Sequence, residues 1–119
     1  MQMTFIDTVN HIINLYNEHG QQEVKYKREL YDFLESLSTD EVCMLLTLMY
    51  VGRPSSVLPQ DFESQFREWR RENNKAGGIG QIVSKSSVHP EYLPQGLKLM
   101  QERSFDFEQF RASLSNQDS

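Results

Sequence analysis

Apolar positions in this chain recur at helical spacing almost from its start, and they nowhere alternate as a strand would. Phe5, Val9, Ile12 and Tyr16 fall every three or four residues, with Ile6 and Ile13 widening the stripe. Thr4 followed by Asp7 opens this segment as a helix start, and Gly20 within His19–Gln22 is placed to close it in the left-handed conformation. A second amphipathic segment puts Tyr26, Leu30, Phe33, Leu34 and Leu37 on one side. Lys25, Lys27, Arg28, Glu29, Asp32 and Glu35 occupy the others.

Ser38-Thr39-Asp40-Glu41 is the clearest local signal. A Ser or Thr hydroxyl there can accept from an orphan backbone N–H while Glu41 reaches back to the N–H of the cap, and both acids complement the positive end of a helix dipole. The run from Val42 to Val51 is apolar on nearly every side, so it reads as a central helix, about 41–52, surrounded by the others. Gly52 is suited to a positive-φ ending, and Pro54 disfavours further helix at Arg53.

Downstream, Pro59 suits a first helical position, and Phe62, Phe66 and Trp69 mark one buried face. Asn73 to Gly80 carries three glycines whose backbone entropy argues against a helix interior, so it reads as a flexible connector ending in a short turn at Ile79, Ile82 and Val83. His89-Pro90 begins a further helix with Leu93, Leu97 and Met100 on one face and Pro94 in its first turn. Phe107, Phe110 and Leu114 define a short terminal helix. The expected fold is all-α: one compact bundle of five or six helices, a single domain over 1–114 with a frayed tail at 115–119.

Composition narrows the class. The 119 residues, 38% hydrophobic and 11% aromatic, support a packed core rather than a disordered chain. A net charge of -5 argues against nucleic acid as the default partner, although a local basic patch can override it. The single cysteine, Cys43, lies inside the apolar run and reads as a small buried hydrophobe in a reducing compartment. The first residues lack the basic and apolar regions of a signal peptide, and the run at 42–51 is too short to span a bilayer, so a cytoplasmic protein with no membrane partner is expected.

Four segments follow one another between about Leu30 and Met100: Leu37-Ser38-Thr39-Asp40-Glu41, the apolar helix ending Met49-Tyr50-Val51-Gly52-Arg53, the aromatic stretch Asp61–Phe66, and Glu91-Tyr92-Leu93-Pro94-Gln95-Gly96-Leu97. Their order resembles an uncharacterised bacterial family known as domain of unknown function 3775, and the last segment is similar to that family's Asp-Tyr-Leu-Glu-Glu-Gly-Leu ending. The chain departs from the family pattern at Pro54-Ser55-Ser56, across Lys75 to Ser87, and at Pro94. The resemblance implies a helical fold and a bacterial or phage setting, and it implies no activity.

Candidate chemistry is sparse. His11, His19 and His89 are scattered and have no second ligand at metal spacing, so neither a metal nor a cofactor is expected. Gly77-Gly78-Ile79-Gly80 lacks the Gly-Lys-Ser/Thr ending of a Walker loop and the strand and spacing of a dinucleotide loop. No catalytic constellation is visible. Arg67, Arg70, Arg71 and Lys75 form the one basic cluster, read first as structural charge and second as a binding patch, with Lys85 beside it. Arg53, leaving the central helix, is read first as capping terminal carbonyls or pairing with a carboxylate across the domain and second as meeting an anionic group in a cleft; Tyr92, expected to pack near it, is likewise read first as structural. These residues favour a non-enzymatic module that binds another protein, in one form a phage or mobile-element inhibitor of host machinery. The alternatives are nucleic-acid binding through the helix around Arg67–Lys75, and an enzyme site assembled from Arg53, Tyr92 and His89.

Overall fold

A computed structural model describes residues 3–86 and 89–117, with side chains described through Leu114. Helix α1, Phe5–His19, begins where the local chemistry places it: the Thr4 hydroxyl accepts from the Asp7 N–H at 3.1 Å. Its end differs from expectation. Gly20 keeps a right-handed φ of -60° and its N–H still bonds the Tyr16 carbonyl, so no left-handed turn is needed there. Helix α2, Glu23–Glu35, buries Tyr26, Leu30 and Leu34.

Helix α3, Thr39–Gly52, is the predicted hub, with every residue from Glu41 to Met49 buried. Ser38 caps it by accepting from the Glu41 N–H at 3.1 Å. The Glu41 carboxylate does not bond the Ser38 N–H; it lies 3.3 Å from the Ser38 hydroxyl and pairs with Arg111 at 3.4 Å. A carboxylate that is only 8% exposed gains more from a guanidinium than from a second amide, which accounts for the change of partner.

After a loop and a 3-10 turn at Pro59–Asp61 come α4, Phe62–Glu72; α5, Lys75–Ser84; α6, His89–Glu102; and α7, Phe107–Gln117. Among the described residues there are thus seven α-helices and no strand. The helix missed by the sequence reading is α5, which replaces the expected connector. Asn74 caps it by accepting from the Gly77 N–H at 2.7 Å, and its buried face is Gly78, Ile79 and Ile82. A Cβ on Gly78 would approach the Val42 side chain to 2.9 Å, so this glycine lets α5 seat closely on α3. Burial of two isoleucines, worth about 1.5–3 kcal/mol each, outweighs the roughly 0.5–1 kcal/mol that each of the three glycines in α5 costs.

The tightest seam joins α3 to α6, which run antiparallel with Gly52 against Tyr92 and Leu48 against Gly96. A Cβ on Gly52 would fall 1.9 Å from the Tyr92 carbonyl oxygen, and one on Gly96 would fall 2.3 Å from the Leu48 carbonyl oxygen. Gly52 is therefore a contact residue within the helix rather than a positive-φ terminator; none of the described glycines has positive φ. Pro94 lies in the interior of α6, beyond the first turn, with its ring exposed. There it removes one helical hydrogen bond, at a cost of about 3 kcal/mol that the α3–α6 packing must offset.

Helices α4 and α5 flank α3, α1 pairs with α2 and α6, and α7 closes over α1 and the start of α3. Phe62 stacks on Phe105, Phe107 and Phe110, and Phe5 on Phe107, which joins the last helix to the core. Residues 115–117 of the expected tail continue α7, and Asp118 and Ser119 lie outside the described residues. No helix among the described residues is long and apolar enough to cross a membrane.

Candidate functional site

The last turn of α3 sets up the site. Arg53 leaves the helix with extended geometry, and Ser55 takes a left-handed φ of 59° that folds the loop back. The Tyr50 carbonyl then accepts from the N–H groups of both Arg53 and Val57, each at 3.3 Å. This hairpin-like return places Leu58 in solvent at 55% exposure, against the start of the 3-10 turn. Between the loop and the outer face of α6 runs a groove of about 460 Å³, floored by Val51, Val57 and Leu99 and rimmed by Arg53, Glu91 and Gln95.

On the other side of Arg53 is the ring of Tyr50. The Arg53 guanidinium carbon lies 6.0 Å from its centroid and the Lys85 ammonium 5.8 Å from it, so two cations converge on one half-buried ring. Trp69 holds that ring from α4, with centroids 4.8 Å apart and planes tilted by 56°. Behind Trp69, the Asn73 amide donates to the Trp69 carbonyl and accepts from Gln81, which ties the ends of α4 and α5 together. Neither Arg53 nor Lys85 has an ion pair among the described residues, whereas Lys27, Arg70, Lys75 and Arg111 each have a carboxylate.

A second groove, about 480 Å³, lies between the 3-10 turn and residues 103–113. Its aromatic wall, Phe62, Phe105 and Phe110, belongs to the ring cluster that docks α7, and Glu63, Asp106 and Arg103 line it with mixed charge. That balance makes it the weaker candidate.

The expected basic cluster is divided by the fold. Arg70 pairs with Asp40 at 2.9 Å, fastening α4 to the start of α3, and Lys75 binds the end of α2 through the Glu35 carboxylate and carbonyl. Arg71 is exposed, and Arg67 also has a partner. Lys85 stands with Arg53 instead of with this cluster. Tyr92 contributes its backbone to the Gly52 contact while its side chain packs half-buried on the core, so it is a scaffold residue beside the groove.

His89, grouped with Arg53 and Tyr92 in the alternative enzyme site, is fully buried. Its Nε2 lies 2.9 Å from the Ile82 carbonyl, which can only accept, so Nε2 carries the proton and Nδ1 accepts from the Tyr26 hydroxyl at 2.8 Å. Burial pushes its pKa down to about 4, against the opposing pull of the Ile82 bond, and burial pushes the Tyr26 phenol up. His89 is thus a neutral latch joining α6 to α2 and α5, and it does not share the groove with Arg53. Burial likewise raises the Cys43 thiol, as expected of a structural cysteine. No cluster of His, Cys, Asp and Glu that would hold a metal occurs among the described residues.

The Gly-Arg helix exit singles out Arg53 in the sequence, but Tyr50 and Lys85 beside it do not stand out there; the one available signal is Tyr50 three residues before Arg53.

The family of proteins of unknown function DUF3775 matches residues 27–101, and the chain belongs to that family. The matched segment contains the whole α3–α6 seam and every residue of the Arg53 site. No curated protein and no solved structure matches the chain.

Proposed function

We propose that this chain is a non-enzymatic helical module of the cytoplasm that works by binding another protein through the face at the exit of α3. The observation that carries the reading is Leu58, 55% exposed, standing on the same groove as an arginine with no ion pair among the described residues. Covering apolar surface gains about 25 cal/mol per Å², and a planar guanidinium beside it adds directional hydrogen bonds, the combination that anchors protein interfaces. The structural use of Arg70 and Lys75 weighs against a nucleic-acid face on α4. An inhibitor of host machinery carried by a phage or mobile element is a special case of this reading, decided by the identity of the partner.

Affinity capture from the native host, with mass spectrometry and with Leu58→Asp in parallel, tests the reading. The wild type is expected to recover a specific protein that the variant loses while keeping the wild-type melting curve. Equal recovery by a folded Leu58→Asp protein would sink the assignment of the face.

A further inference from the structure

Resting on the protein-binding reading, we propose that the partner presents an acidic–apolar segment: a carboxylate received between Arg53 and Lys85 at the Tyr50 ring, with an apolar side chain beside Leu58. The chain has 12 basic and 17 acidic residues, so carboxylates are plentiful, yet two cations sit within about 6 Å of the same ring centroid without one. The ring attracts each of them only weakly, by about 0.5–1 kcal/mol at an exposed site, while the two charges repel one another. A carboxylate placed between them would relieve that repulsion and make charge-assisted hydrogen bonds to both.

Geometry adds preorganisation. Trp69 fixes the Tyr50 ring, and the Tyr50 carbonyl fixes the loop that carries Arg53, so little ordering is left to pay for on binding. Arg53 belongs to both halves of the surface: it lies over Tyr50 and it rims the groove floored by Val51, Val57 and Leu99. A chain whose carboxylate reached Arg53 would therefore lay its neighbouring residue toward Leu58.

The same surface discriminates between classes of acid. Glu91, exposed on the groove rim, can accept from a peptide N–H, which a nucleic-acid backbone does not offer, and together with the net charge of -5 it opposes a polyanion more strongly than a segment with one or two carboxylates. Two cations and an aliphatic floor suit one or two carboxylates on an apolar peptide better than a nucleic-acid backbone.

The test is an amide NMR titration of the full ¹⁵N-labelled chain with three probes: a short peptide alternating Leu and Glu, its Leu/Gln counterpart, and a thymidine oligonucleotide of matched length. The Leu/Glu peptide is expected to shift residues 50–58, Lys85 and 91–99. The Arg53→Ala/Lys85→Ala double variant, checked for unchanged helicity, should weaken that binding at least about tenfold. No shift at millimolar peptide, equal binding of the Leu/Gln peptide, tighter binding of the oligonucleotide at these residues, or unchanged affinity in the double variant would each overturn the proposal. The two readings fail separately. If Leu58→Asp abolishes capture of the native partner and Arg53→Ala/Lys85→Ala does not, the binding face stands and the acidic segment falls. If Leu58→Asp has no effect on capture, the face itself is wrong.

Discussion

The two ends of α3 are finished in opposite ways. At its start, charge is tied down: Ser38 caps the helix, Glu41 meets Arg111, Arg111 also pairs with Glu108, and Glu108 accepts from the Phe5 N–H at 2.8 Å. Arg70 closes the same end by pairing with Asp40. At its finish, backbone presses on backbone through Gly52 and Gly96, and the charges just outside, Arg53 and Lys85, have no carboxylate among the described residues. The contrast shows where polar groups serve the fold and where they remain available. Part of the first end lies outside the family-matched segment, since Phe5, Glu108 and Arg111 fall beyond residues 27–101. The second end lies wholly inside it.

Disturbing the glycine contact should have the largest effect. Gly52→Ala forces a methyl to 1.9 Å from the Tyr92 carbonyl oxygen, so α3 and α6 must separate; a loss of about 3 kcal/mol or more in chemical denaturation is expected. A loss below about 1 kcal/mol would mean that the seam yields easily and is not the anchor of that end.

The start of α6 offers a second probe, because by the antiparallel register it lies toward the finishing end of α3. His89 takes up a proton near pH 6.5 when unfolded but only near pH 4 when folded. The unfolded state therefore binds more protons across that interval. Stability attributable to this group is full above pH 6.5 and falls by up to about 1.4 kcal/mol per pH unit down to about pH 4. Denaturation midpoints over this range, with the His89 ring followed by NMR, check it; an imidazole titrating near 6.5 in the folded protein contradicts it.

At the opposite end, Arg111→Ala leaves the buried Glu41 carboxylate without its guanidinium and should cost about 1–3 kcal/mol. If the cost is nearly nil, the starting end is held by apolar packing alone and the comparison loses its polar half.

Gly80→Ala sharpens the meaning of the glycines. Gly80 lies within α5, has no positive φ, and has open space where a Cβ would go. Alanine there should stabilise by about 0.4–1 kcal/mol, a rise in melting temperature opposite in sign to Gly52→Ala. Finally, Arg53→Ala/Lys85→Ala should cost no more than about 1 kcal/mol, because each side chain has only a weak attraction to the Tyr50 ring, offset in part by their mutual repulsion. A larger loss would show that the finishing end also depends on its charges.

Thr4 and Ser38 were legible as helix starts because a cap is a local bond between residues three apart. Helix α5 was not legible, because Gly77, Gly78 and Gly80 disfavour it locally and its stability comes from seating Gly78, Ile79 and Ile82 inside the bundle. The fate of His89 was hidden for the same reason: its partner Tyr26 is 63 residues away. Arg53 was visible as the exit of a buried helix, whereas its pairing with Lys85 over Tyr50 required α5 to exist and to end beside α3.

By itself the sequence determined the all-α class, the central helix and its starting cap, and the family, since these depend on apolar periodicity and on bonds between near neighbours. The tertiary structure decided which glycines are contacts, which charges are consumed and which are left over. Those outcomes depend on helices from distant parts of the chain packing so closely that a Cβ added at Gly52 would fall 1.9 Å from a backbone oxygen, a fit that no local pattern encodes.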